Sequence, residues 1–233
     1  MKTKQLDLAL PKPKGKHGGK RAGAGRPKGS GSDARHRARP VHKRRHPVHI
    51  VLRAKQDVPL LRKANTFAAI RAAMRTIGAK LDFRVVHASI QKNHLHFLVE
   101  AADRHALTHG MQALAISLAR RINVSCGRRG KVFAHRYHAT TITNPLQARN
   151  TLAYVLNNWR RHREDQQNER SRTAMLDPYS TALAFDGWRE ASVWTPPDFD
   201  PLPSVRPETW LLRIGWRFHP LISVREVPRD ARP

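Results

Sequence analysis

The chain has 233 residues, 39% of them hydrophobic, and a single cysteine, Cys126. That length allows one domain of modest core with extensions, and one cysteine excludes an intrachain disulfide or a cysteine-rich zinc module. Lysine and arginine number 44 against 17 aspartate and glutamate, a formal charge of +27, which calls for a polyanionic partner, nucleic acid being the commonest.

The charge is uneven. Residues 1–45 carry 15 basic and 2 acidic side chains, residues 46–163 carry 20 and 4, and residues 164–233 carry 9 and 11. No apolar stretch approaches the roughly 20 residues of a membrane span, and no apolar segment follows the basic N-terminus as a secretory signal requires. The expectation is a soluble, cytoplasmic protein.

Residues 1–45 are rich in Gly, Pro and Lys and cannot bury enough apolar surface to offset the entropy of ordering. They read as a disordered basic arm. Within it, Gly25-Arg26-Pro27 beside Lys20, Arg21 and Lys28 resembles an AT-hook, with Arg26 set for a narrow minor groove. A plain basic arm held to phosphate by charge explains the same residues.

The periodicity becomes legible from residue 46. HPVHIVLRA reads as a strand, and Phe67, Ile70, Met74 and Ile77 recur at helical spacing over 66–80. DFRVVHASI and HLHFLVEA alternate as two strands joined by the short turn Gln91-Lys92-Asn93, an antiparallel hairpin. A second helix spans 107–122 on Leu107, Met111, Leu114, Ile116, Leu118 and Ile122, with Gly127 beyond its basic end. KVFAHRYHATTI returns as a fourth strand. Asn144 as N-cap and Pro145 at the first helical position open a third helix through NTLAYVLNNWRRH.

The order β-α-β-β-α-β-α predicts an α+β fold on the split βαβ, ferredoxin-like plan: an antiparallel sheet with two helices on one face. Residues 46–163 form this domain. Residues 164–233, which hold four of the five tryptophans, read as a loop-rich C-terminal extension that packs back on it, with a short helix near 209–217.

In that plan the strand HLHFLVEA is central, and residues two apart share a face, so His94 and His96 project together. With 14 histidines in 233 residues, about one His-x-His is expected by chance, so placement has to carry the argument. Paired imidazoles on an open sheet face suit a divalent metal, and a phosphate-handling ion such as Mg or Mn wants an oxygen ligand as well. Tyr154 and Asn158 stand at i and i+4 on the third helix, hence on one face. A phenol is a weak nucleophile at neutral pH, its ordinary pKa lying near 10, so it needs a polarised phosphate or a nearby base.

His-hydrophobic-His on a central strand, followed by a helix carrying Tyr-x-x-x-Asn, resembles the HUH superfamily of single-strand nucleases. The single late tyrosine is similar to the insertion-sequence transposases of that superfamily, and closest to the REP-associated tyrosine transposases. The resemblance covers about residues 42–163. It implies a bacterial, nucleoid-associated enzyme that cuts and rejoins hairpin-bearing single-stranded DNA through a 5′-phosphotyrosine. On it, Tyr154 is the nucleophile and His94, His96 and Asn158 hold Mg or Mn. Arg128, Arg129, Lys131, Arg160 and Arg161, with Arg26 of the arm, read as phosphate contacts. Trp159 reads either as a stacking platform for an unpaired base or as core. His46, His49, His87, His135 and His138 receive no catalytic role, though some would line the open face. The competing expectation is a non-catalytic nucleic-acid-binding protein on the same fold; a replication initiator or relaxase fits less well. Whether the protein acts as a homodimer is left open.

Overall fold

The computed structural model describes residues 41–79, 82–167, 169–193 and 200–228. The basic arm up to Pro40, Arg26 included, lies outside the described residues. Four antiparallel strands, β1 (Val48–Arg53), β2 (Phe83–Ile90), β3 (His94–Ala101) and β4 (His138–Thr141), pair in the order β2-β3-β1-β4. The first and third strands are therefore central.

Helices α1 (Ala64–Ile77) and α2 (Arg104–Ser125) cover one face. Ile50, Leu52, Leu95, Phe97 and Val99 point at them and share a core with Ile70, Met74, Met111 and Leu118. Ile116 departs from the expected stripe and is 45% exposed. The two layers meet closely at Gly110, where a Cβ would lie 2.1 Å from the Phe83 ring, so only glycine fits there. Gly127, at φ +59°, takes the left-handed turn that ends α2.

The fourth strand is shorter than the alternation suggests. Val132 and Phe133 are consecutive and both buried, which breaks the period of two, and regular pairing begins only at His138. The intervening chain is pinned by Lys55 N donating to Val132 O (2.9 Å) and Ala134 N to Arg53 O (2.9 Å).

The other sheet face, expected to be open, is covered. Helix α3 (Pro145–Arg161) begins as predicted: the Asn144 side chain accepts from Gln147 N at 2.8 Å, and Gln147 Oε1 accepts from Thr143 N at 2.8 Å, a reciprocal cap. Its Leu152 and Leu156 pack with Val86 and Leu98 of the sheet and with Leu211, Trp216 and Ile222 of the C-terminal extension. A bulge between Val85 and His87 sends both Val86 and His87 toward this second layer.

The extension is built into the domain by backbone and carboxylate bonds. Ile90 N donates to Tyr179 O (2.8 Å) and Thr181 N to Ala88 O (2.9 Å), which closes the outer edge of β2. Asn157 donates to Ser223 O at 2.9 Å, and Arg149 grips Glu226. The carboxylate of Glu100 accepts from Glu208 N, Thr209 N and Thr209 Oγ1, each at 2.8 Å. No helix among the described residues is long and apolar enough to cross a membrane.

Candidate active site

β3 carries His94 and His96 on the face that meets α3. His96 lies opposite Val51 of β1 and Ser89 of β2, so it stands in the middle of the sheet and is only 2% exposed. Its ring centroid is 4.7 Å from that of His94. From α3, the Tyr154 ring meets His96 edge to face at 5.3 Å, and His162, two turns further along, meets His94 at 5.5 Å.

Asn158 is one helical turn from each of those two contacts and lies on the same stripe of α3. It is fully buried, and neither Oδ1 nor Nδ2 has a hydrogen-bond partner. Its neighbour Asn157 points instead to the extension through Ser223 O. His94, His96 and Tyr154 therefore meet in one place, and helical spacing sets Asn158 on the stripe of α3 that faces it.

Two histidines join them without having been assigned a role. His162 follows the last residue of α3, and its spacing of i+4 from Asn158 continued the Tyr154–Asn158 stripe; that was the available signal. His49 of β1 places Nε2 3.0 Å from His96 Nδ1, with the two rings stacked at 5.2 Å. Strand alternation put it on this face but could not show the contact.

The imidazoles sit close together, His49 and His96 buried and His94 partly so, and their protonation is suppressed. Burial, then the neighbouring His138, pushes His49 down to about 4. Burial, then His162 and Arg53, does the same to His94. Burial, then His49, His94 and His162, holds His96 well below the ordinary imidazole value. Neutral imidazole is the form that ligates metals.

A metal's fit to these residues can be judged on their free atoms. His94 Nδ1 lies 2.9 Å from Asn93 Oδ1; donation there leaves Nε2 with its lone pair. His96 Nε2 is buried and unpartnered. No group of three His, Cys, Asp or Glu side chains among the described residues is placed to hold a metal ion; the orphaned amide of Asn158 would be the oxygen donor beside the two imidazoles. The amide oxygen is a donor suited to Mg or Mn, whereas imidazole nitrogens by themselves suit Zn, Cu, Fe or Ni.

The turn bearing His94 is braced from behind. Arg62 donates to Ile90 O (2.8 Å) and, as a fork, to Asp177 Oδ1 (2.8 Å) and Oδ2 (3.0 Å), with Glu164 Oε2 at 3.0 Å. Glu164 accepts in turn from Lys92 N at 3.2 Å. Because Asp177 takes the fork, Glu164 has only its edge, and burial pushes its carboxyl up to about 7 against the pull of Arg62.

The basic residues divide. Arg129 and Lys131 stand exposed on the turn after α2, and Lys131 also reaches Ala134 O at 2.8 Å. Arg161 is half-buried and touches Pro228 O at 3.5 Å. Arg128 is bound to Asp57 and Asn123, each at 2.8 Å. Arg160 is committed to Val224 O (2.7 Å), Met175 O (3.0 Å) and Asp165 (3.2 Å). These two arginines strap the protein to itself through bonds made by their planar forks. Trp159 is fully buried and is core, not a platform for bases.

Among solved structures, a REP-associated tyrosine transposase bound to a REP hairpin is 13% identical, with a TM-score of 0.44 over 54% of this chain and 73% of that one. A proposed transposase of Deinococcus radiodurans R1 is 17% identical, with a TM-score of 0.34 over 46% of this chain and 85% of that one. No curated protein matches the chain. The family model described as "Transposase IS200 like" matches residues 42–158, a stretch that holds both histidines of the pair, Tyr154 and Asn158. The chain belongs to the family of IS200-like transposases.

Proposed function

We propose that this transposase cuts and rejoins single-stranded DNA with Tyr154 as nucleophile, on a substrate carrying a hairpin. The observation that carries the reading is the edge-to-face approach of Tyr154 to His96 at 5.3 Å, one helical turn from a buried amide that lacks any partner. The hairpin is what the motif resemblance implies, and the +16 balance of residues 46–163 suits the strand.

In the proposed step, the Tyr154 phenolic oxygen forms a bond to phosphorus and the bond from phosphorus to the 3′ oxygen breaks. The phenol gives up its proton and the departing oxygen takes one up as a 3′-hydroxyl. The number of phosphodiester bonds is unchanged, so the reverse attack by a 3′-hydroxyl rejoins strands without an energy source. His94, His96 and Asn158 would hold a divalent cation, Mg or Mn, which supplies Lewis-acid stabilisation of the charge building on the phosphate. Helix α3 fixes the phenol's direction. Arg129, Lys131 and Arg161 would receive the flanking backbone.

The test is covalent trapping on a labelled hairpin oligonucleotide with Mn, then with EDTA. A denaturant-stable adduct that needs Mn and Tyr154 supports the reading; tight binding with no adduct in either condition contradicts it and favours a non-catalytic DNA-binding protein.

A further inference from the structure

His49, in contact with both His96 and Tyr154, is a side chain of the site that the proposed chemistry leaves unused. It is 8% exposed, and its backbone is locked between two strands, opposite Leu98 of β3 and Thr140 of β4. Its ring stacks on His96 at 5.2 Å with 18° between planes, and meets Tyr154 at 5.8 Å. The His96 contact runs through the ring nitrogens, His49 Nε2 lying 3.0 Å from His96 Nδ1.

A nitrogen pair at that distance shares one proton, and the choice of donor sets what His96 can do. If His49 Nε2 donates, His96 keeps its own proton on Nε2, a buried N–H with no acceptor. If His96 Nδ1 donates, its Nε2 offers a lone pair into the site. Only the second arrangement lets His96 bind a cation, and it requires His49 to be an acceptor at Nε2 with its proton on Nδ1.

We infer that His49 is a positioning residue: it accepts the Nδ1 proton of His96 and so fixes the tautomer and ring plane that present His96 Nε2 to the metal. The inference rests on the metal role proposed above for His94 and His96. Partners of this kind, which orient a ligating histidine through its far nitrogen, typically change metal affinity by roughly 10–100-fold when removed.

The experiment uses the full chain. Mn binding is measured by electron paramagnetic resonance for the wild type, His49→Phe, His49→Gln and His96→Ala. The tautomer of His96 is read in metal-free wild type from its imidazole ¹⁵N shifts. The expected result is an Nδ1–H tautomer in the wild type and an affinity loss of roughly tenfold or more in His49→Phe. In His49→Gln the side-chain oxygen can still accept, and most of the affinity returns. If both His49 variants bind Mn like the wild type while His96→Ala does not, the metal site stands and the positioning role is overturned. If His96→Ala binds Mn as well as the wild type, the metal reading itself fails and the inference with it. Should His49→Phe not fold, an Nε2–H tautomer in the wild type overturns the inference unaided.

Discussion

Tyr154 of α3 and His96 of β3 meet edge to face within a single chain, their ring centroids 5.3 Å apart and their planes at 87°. The helix cannot readily carry the tyrosine elsewhere, because Asn157, Arg160 and Arg149 of the same helix are tied to Ser223, Val224 and Glu226 of the extension. On the proposed reading, the nucleophile would serve the histidines of its own chain. Mixing the Tyr154→Phe and His96→Ala proteins should restore no DNA cleavage, as measured by product formation on a hairpin substrate. Recovery of activity in the mixture would mean that the tyrosine acts on a second copy.

Asn158 is buried with both polar atoms unpartnered, a state that costs about 1–3 kcal/mol for an amide left unsatisfied. Asn158→Leu, close in size and apolar, should raise the metal-free stability by about that amount in a urea titration. The same variant should lose the stabilisation that Mn gives the wild type. A variant less stable than the wild type without metal would show that the amide has a structural partner.

Arg62 faces two carboxylates, and the side chain of Asp177 is fully buried. Removing the cation strands that charge, so Arg62→Met should cost about 3–5 kcal/mol in chemical unfolding. Because Arg62 also holds Ile90 O at the end of β2, exchange protection of amides in the 91–93 turn should fall first. A loss under 1 kcal/mol, the range of an exposed pair, would contradict the role given to this node.

Glu164 supplies a pH signature. Its carboxyl is raised by burial from 4.5 to about 7, so the folded chain binds its proton more tightly than the unfolded chain does. The stability this contributes is fully present below pH 4.5 and is lost as pH rises through about 7. Glu164→Gln lacks the proton, so the melting temperature of the variant relative to the wild type should rise between those two pH values. Taking the difference cancels the histidines, whose lowered values act in the opposite direction. A flat difference would mean that Glu164 ionises normally in the fold.

Much of the site was legible in the sequence because it depends on local geometry. His94 and His96 share a face by strand alternation, Tyr154 and Asn158 by helical spacing, and Asn144-Pro145 marked the start of α3 to the residue. What was not legible depends on partners distant in the chain. Arg160 looks like any surface arginine until Val224 and Met175 arrive from the extension, whose irregular backbone has no periodicity to read. His49 needed the β1–β3 register before its bond to His96 could be seen. The cover over the second sheet face was missed for the same reason, since Leu211, Trp216 and Ile222 come from short segments rather than one amphipathic helix.

The most direct measurement is a denaturing gel of the full chain mixed with labelled single-stranded hairpin DNA, run with Mn and with EDTA, beside Tyr154→Phe and His96→Ala. The account predicts a retarded protein–DNA adduct with Mn alone, reduced by on the order of 10³-fold or more in Tyr154→Phe and absent in His96→Ala. An adduct that persists in Tyr154→Phe, or that forms equally well in EDTA, would contradict it.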